Sequence, residues 1–196
     1  MDNFERNIDY IVKTARDVHH QAVSAGWWTD IESGETLIGK RDFIGMCGLI
    51  VTEITEAYDG YRTNSMDDKL PHRQQIEVEL ADAFIRMADT SIGCGLDLEA
   101  GLLAVGPGFV PFEPLATTEE YLLQIIGYVS YSIEGHRKRD FVKREKNMAK
   151  AMFAVMVLGV NMGLDIRGAV AEKSAFNAVR PDHKLENRLK DGGKKE

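Results

Sequence analysis

The sequence predicts an all-α protein, and three observations support this. Long segments repeat apolar residues at helical spacing, and none alternates apolar and polar residues over a useful length as a half-buried strand does. Glycine, proline and short polar stretches separate the segments and would end helices there. With 44% hydrophobic and 8% aromatic residues, the 196-residue chain can bury a core. We therefore expect a bundle of packed helices.

Four helices are expected in the first part of the chain. They are Asn7–Ala25, Arg41–Arg62, Arg73–Cys94 and a short helix from Asp97. The first ends at Gly26, which can adopt the left-handed conformation common after a helix. The third is entered through Pro71, and the fourth stops before the turn at Gly106, Pro107 and Gly108.

Three more helices are expected after a proline-containing linker. They are Thr117–Arg139, Glu145–Met162 and Asp165–Val179. The spacing of Thr117 and Glu120 is typical of a capping box, and Pro181 cannot continue the last helix. We expect one domain over residues 1–181, with halves at about 1–106 and 115–181 joined by the linker 107–114. The charged tail, 182–196, is expected to be flexible.

The two halves resemble each other in sequence, which indicates an internal duplication. Gly95-Leu96-Asp97-Leu98 corresponds to Gly163-Leu164-Asp165-Ile166, and Gly60-Tyr61-Arg62 corresponds to Gly135-His136-Arg137. Glycine that ends one helix and aspartate that caps the next are common on their own. However, two matches in the same order favour a duplicated, pseudo-dimeric bundle.

The halves differ in their charged residues. In the alignment, Glu53 and Glu56 correspond to Tyr128 and Tyr131, Glu79 and Asp82 to Asn147 and Lys150, and Lys173, Asn177 and Arg180 to Val105, Phe109 and Phe112. The first half therefore keeps a set of carboxylates, and the second half keeps a set of basic and amide groups. One composite site would result if the halves pack together.

The carboxylates form two pairs with i, i+3 spacing. Glu53 and Glu56 share one side of a helix, and Glu79 and Asp82 share one side of the next. Apolar residues surround both pairs, and acids in such a setting need a compensating positive charge. Oxygen ligands alone favour Mg²⁺, with Mn²⁺ as a substitute. The alternative is that each pair is a solvated helix face.

Lys173, Asn177 and Arg180 have the spacing i, i+4, i+7, so they form one stripe on a helix. Two cations beside an amide suit phosphate oxygens. The alternative is an ordinary basic helix end, which the helix dipole favours.

These motifs resemble the MazG-like all-α nucleoside triphosphate pyrophosphohydrolases, a superfamily that includes the dimeric dUTPases. The resemblance covers about Val18 to Pro181. It consists of E-x-x-E at Glu53–Glu56, E-x-x-D at Glu79–Asp82 and K-x-x-x-N-x-x-R at Lys173–Arg180, after Gly26-Trp27-Trp28. Here a linker and two helices separate the last two motifs, and Arg86 stands where relatives often carry an aromatic residue that contacts the base.

The resemblance implies a Mg²⁺-dependent enzyme that cleaves nucleoside triphosphates between the α- and β-phosphates. The implied metal ligands are Glu53, Glu56, Glu79 and Asp82, with Glu53 or Glu56 as the proton acceptor. Lys173, Asn177 and Arg180 would bind phosphate. Trp28 would stack on the base, although Trp27 or Trp28 could equally be a plain core residue. The site would be completed within one chain or across a homodimer.

Two other functions stay open on the sequence: a non-catalytic nucleotide or metal sensor on the same scaffold, and a helical interaction protein with an acidic face. The formal net charge of −7 argues against a surface that binds polymeric nucleic acid. Two cysteines in apolar stretches, without a signal peptide or a membrane span, lead us to expect a cytoplasmic protein.

Overall fold

The computed structural model describes residues 3–111, 116–183 and 185–190. The helices are α1 (Asn3–Ser24), α2 (Phe43–Thr63), α3 (Gln75–Gly93), α4 (Leu98–Val105), α5 (Thr118–Arg137), α6 (Phe141–Met162), α7 (Ile166–Val179) and the short α8 (Leu185–Arg188), with a 3₁₀ turn at Pro181–His183. No strand occurs in these ranges, where only two isolated bridges have extended pairing. The all-α prediction is confirmed.

Like α1, helix α6 begins four residues earlier than expected. Asp140 is its N-cap, and the carboxylate accepts a hydrogen bond from the Lys143 amide. Phe141 and Val142 stand exposed in the first turn, so the apolar pattern hid the start of the helix. The cap, rather than burial, therefore sets this end.

The helices form two antiparallel hairpins, and the helix that follows each hairpin packs on the other one. Helix α2 packs against α3, and α5 packs against α6. Helix α4 then lies on α6, whereas α7 lies on α3 beside α1. The last helix of each half thus packs on the central helix of the other half. This arrangement brings the basic stripe of α7 next to the acidic helix α3, which itself packs on α2.

Both hairpins have a glycine at the close contact between their helices and a residue with positive φ in the connecting turn, at corresponding positions. A Cβ at Gly60 would lie 2.8 Å from the backbone nitrogen of Ile76, and one at Gly135 would lie 2.6 Å from that of Arg144. These glycines let the second helix of each hairpin start close against the first. Asn64 and Arg139, four residues after each glycine, both adopt positive φ. Such agreement is what a duplication predicts, although the duplication itself stays a prediction.

The short helix α8 brings Arg188 against the Trp27 loop. Arg188 is fully buried, and its guanidinium carbon lies 3.7 Å from the centre of the Trp27 ring. Arg188 therefore packs against the rest of the fold, although it lies in the segment 182–196 that is expected to be flexible. Residues 184 and 191–196 lie outside the described residues, as do the last three residues of the predicted linker, 112–114.

Within the described ranges, no single helix has both the length and the hydropathy needed to cross a membrane. Helices α6 and α7 pass that test only as a pair, which is bent by 115°.

Candidate metal centre and adjoining pocket

Three of the predicted metal ligands converge between α2 and α3. One carboxylate oxygen from each of Glu53, Glu56 and Glu79 lies within 4.8 Å of the other two. Glu53 and Glu79 are 7% and 8% exposed, whereas Glu56 faces solvent. The i, i+3 spacing on α2 and the packing of α2 on α3 place the acids together. The cluster is therefore shielded on two sides and open at Glu56.

Two basic side chains border this acidic cluster. Lys173, which is 3% exposed on α7, donates to Asp82 Oδ2 at 2.8 Å. Arg86, one turn after Asp82 on α3, donates through Nε to Glu53 Oε1. Four carboxylates thus share two internal cations. The excess negative charge is what a divalent cation would neutralise.

Burial and mutual repulsion perturb the acids. Burial and the neighbouring Asp82 carboxylate raise the pKa of Glu79 to about 8. Burial also raises the pKa of Asp82, and the Lys173 ammonium opposes that rise. In the metal-free protein near neutral pH, Glu79 therefore tends to keep its proton. A bound cation would displace that proton.

The donor set fits Mg²⁺. Its ligands are carboxylate oxygens, which hard divalent cations prefer. Oxygens at about 2.1 Å from one Mg²⁺ lie about 3 to 4 Å apart. The spread of up to 4.8 Å among the three acids needs only a small contraction. Asp82, bonded to Lys173, lies beside this set, and Mn²⁺ would accept the same ligands.

A pocket of about 300 Å³ adjoins the cluster through Asp82 and Arg86. It lies among α1, the loop after α1, α2, α3 and α7. Its apolar wall includes Val18, Ala22, Leu49, Ile85 and Ala178. A volume of this size is at the lower end of small-molecule sites.

The predicted basic stripe divides between the cluster and the pocket. Lys173 contacts the cluster, while Asn177 and Arg180 line the pocket. Asn177 Oδ1 and Ser174 Oγ are buried and find no hydrogen-bond partner among the described residues, and neither does Arg41 Nε on the opposite wall. Three residues that line the pocket thus carry unsatisfied polar atoms, which are buried in this conformation and would need a side-chain movement to reach a ligand.

Trp28 lies in the core beneath the pocket. Its side chain is 1% exposed, its Nε1 donates to Asp89 Oδ1 at 2.8 Å, and His19 Nδ1 lies 2.7 Å from the same oxygen. A Cβ on Gly93 would lie 2.1 Å from the indole, so the ring is wedged against α3. Trp28 is among the residues that line the pocket, but with 1% of it exposed a base could not stack on the ring without a rearrangement. The core interpretation of Trp28 therefore fits better than stacking, and Trp27 is the more exposed of the two.

Sequence reasoning missed the contribution of Arg86 to the site and noted it only as a departure from the family pattern. Its position was visible in the spacing, since Arg86 follows Glu79 and Asp82 by seven and four residues and so shares their helix face. By contrast, Arg41, Ser174 and His183 reach the pocket from other elements, and no local pattern marks them.

Comparison of the chain with protein-family models, with curated proteins and with solved structures finds no match. The functional interpretation therefore rests on the site.

Proposed function

We propose that the protein is a Mg²⁺-dependent nucleoside triphosphate pyrophosphohydrolase that releases a nucleoside monophosphate and pyrophosphate. The observation that carries the proposal is the convergence of Glu53, Glu56 and Glu79 within 4.8 Å, beside the Asp82–Lys173 pair. An oxygen-only cluster with adjacent cations suits a metal-bound polyphosphate. The MazG-like assignment and the single composite site of a duplicated chain belong to the same proposal.

The residues divide by role. Glu53, Glu56, Glu79 and Asp82 would hold the metal, which would neutralise phosphate charge and acidify a bound water. Lys173, Asn177 and Arg180 would bind phosphate oxygens from α7. Glu56 is the better candidate for proton acceptor, because it is exposed and Arg86 engages Glu53.

The pocket would hold the nucleoside. Its apolar wall suits a flat heterocycle, and Arg41, Ser174 and Asn177, whose unsatisfied polar atoms are buried at the pocket lining, could turn to hydrogen-bond a base or sugar. The position of the pocket beside Asp82 would place the α-phosphate next to the metal ligands. The net charge of −7 argues against polymeric nucleic acid as a partner.

The test is hydrolysis of ribo- and deoxynucleoside triphosphates, including dUTP, by the purified protein. Reactions with Mg²⁺ or with excess chelator would be resolved by chromatography, and pyrophosphate would be distinguished from orthophosphate. We expect metal-dependent monophosphate and pyrophosphate, and loss of both with Glu53→Gln. Glu32→Gln, which makes the same change in an exposed loop, is the matched control.

A sensor would give a different result in the same experiment. Binding of Mg²⁺ and nucleotide without turnover of any triphosphate would reject the enzyme and favour the non-catalytic alternative. Release of orthophosphate in place of pyrophosphate would place the cleaved bond elsewhere in the triphosphate and would reject the proposed reaction.

A further inference from the structure

A network of ion pairs joins the start of α3 to α7. Arg73 forms a bidentate pair with Glu172 at 2.9 and 2.8 Å and a further bond to Glu77 at 2.8 Å. His72 Nε2 lies 2.7 Å from the same Glu172 carboxylate. The Arg73 and Glu77 side chains are both about one-tenth exposed, so water weakens their bond little, whereas Glu172 is 42% exposed and its bonds are more strongly screened.

The same network reaches the beginning of α7. Glu77 Oε1 accepts the backbone N–H of Asp165 at 2.7 Å, and Asp165 is the N-cap of α7. Arg73 also approaches the Asp165 carbonyl oxygen at 3.4 Å. Arg73 therefore holds α7 at two levels, at its cap and two turns further along at Glu172.

The position of Glu172 in the chain gives this contact its significance. Glu172 immediately precedes Lys173, and successive residues on a helix are rotated by about 100°. An anchored Glu172 therefore fixes the rotation of α7 about its axis. That rotation determines whether Lys173 reaches Asp82 and whether Asn177 and Arg180 face the pocket.

The buried apolar side chains of α7 lie in its first half. Its buried apolar residues are Ile166, Ala169 and Val170, and the next residue on this face, Lys173, carries a charge. From Lys173 onward no apolar side chain of α7 is buried. Apolar packing therefore anchors the first two turns and leaves the functional end to polar contacts.

The other half of the molecule serves as an internal comparison. Helix α4 packs on α6 as α7 packs on α3, and it buries Leu98, Gly101 and Leu102 at the corresponding positions. In the alignment of the halves, however, Phe141 corresponds to Arg73 and Ala104 to Glu172. A helix thus docks in this place without the clamp. Docking alone does not explain why Arg73 and Glu172 are present.

We propose that Arg73 is a positioning residue, whose clamp on Glu172 fixes the rotation of α7 and so aims Lys173, Asn177 and Arg180 at the phosphate groups. This inference rests on the proposed function for its role in phosphate binding. The clamp touches neither the acidic cluster nor the pocket. It therefore acts through α7.

The test compares Arg73→Gln, Arg73→Lys and Glu172→Gln with the wild-type protein. Arg137→Gln is the matched control, because Arg137 makes a bidentate pair with Glu134 at the end of α5, away from α7. The first measurement is hydrogen exchange of the amides of Ile166–Val179. The second is calorimetric affinity for inorganic tripolyphosphate in the presence of Mg²⁺.

We expect Arg73→Gln to speed exchange in the second half of α7 about tenfold or more, while α2 and α3 keep wild-type protection. Affinity for tripolyphosphate should fall about tenfold, and KM for a triphosphate should rise more than kcat falls. The stabilisation by Mg²⁺ alone should be unchanged. Arg73→Lys should restore only part of the loss, because an ammonium cannot make the bidentate pair.

Wild-type protection of α7 in Arg73→Gln would overturn the inference, as would equal losses in Arg137→Gln. If Arg73→Gln does not fold, Glu172→Gln decides instead, since it removes the bidentate partner and leaves the Arg73–Glu77 pair. If the wild-type protein neither binds tripolyphosphate nor hydrolyses a triphosphate, the proposed function fails. The exchange measurement still decides whether Arg73 positions α7.

Discussion

Changing Glu79 to glutamine should stabilise the metal-free protein at alkaline pH and remove most of its response to Mg²⁺. In the fold the pKa of Glu79 rises from its usual 4.5 to about 8. The folded state therefore holds a proton that the unfolded chain releases. The stability contributed by that proton is complete below pH 4.5 and is lost as the pH rises to about 8.

The size of the effect follows from the difference between these pKa values. A tenfold change in proton affinity corresponds to about 1.4 kcal/mol, so the full difference would be about 5 kcal/mol. Water reaches the cluster on the side of Glu56, and Asp82 shares the repulsion, so we expect about 2 kcal/mol. For a chain of this length, that is about 4 to 8 °C in melting temperature.

The assay is thermal unfolding at pH 6 and at pH 8.5, with chelator or with Mg²⁺. In chelator at pH 8.5, Glu79→Gln should melt above the wild-type protein, and the difference should shrink at pH 6. Mg²⁺ at a hundredfold excess over its Kd should stabilise the wild-type protein by about 2.7 kcal/mol and the variant by much less. Glu32→Gln, in the exposed loop after α1, should show neither effect.

Two results would refute this reasoning. A lower melting temperature for Glu79→Gln in chelator at pH 8.5 would mean that the carboxylate is not under repulsion. Equal stabilisation of both proteins by Mg²⁺ would place the ion away from Glu79.

Three further variants probe the same region. Arg86→Gln should bind Mg²⁺ several-fold more tightly by calorimetry, because Arg86 and the metal compete for the Glu53 carboxylate. Unchanged or weaker binding would contradict this competition. Lys173→Met should lower the free energy of unfolding by about 2 to 3 kcal/mol in chelator and by less in Mg²⁺, because the ion can compensate the unpaired Asp82 carboxylate. Denaturant unfolding measures both values, and an equal loss in chelator and in Mg²⁺ would argue against that compensation. Gly93→Ala should cost about 2 kcal/mol or more, since the added carbon would overlap the buried Trp28 ring; wild-type stability would show that the ring has room to move.

Much of the helix architecture could be predicted from local signals. Helical periodicity and the caps at Asp97, Thr117 and Asp165 placed most helices within a few residues of their observed ends. The predicted start of α6, Glu145, was four residues too late. Phe141 and Val142 are exposed, so the apolar pattern begins after the helix does. Apolar periodicity marks buried residues. An exposed first turn has no such pattern and can be recognised only from its N-cap.

The candidate site was predictable in its residue types and in part of its geometry. The i, i+3 pairs on α2 and α3 made Glu53, Glu56 and Glu79 neighbours as soon as the two helices paired. The role of Trp28 was not predictable, because one aromatic residue before a helix suits a pocket wall and a core equally. Its burial depends on Asp89 and on the space that Gly93 leaves for the ring.

The sequence by itself determined the helices, the two acidic pairs and the basic stripe, because each depends on spacing along one helix. Only the tertiary structure decided which helices pack together. The exchange that places α7 on α3 brings Lys173 to Asp82, and the contacts of Arg73 with α7 come from the same packing. These pairs join residues about 90 or more positions apart, and no local pattern specifies such contacts.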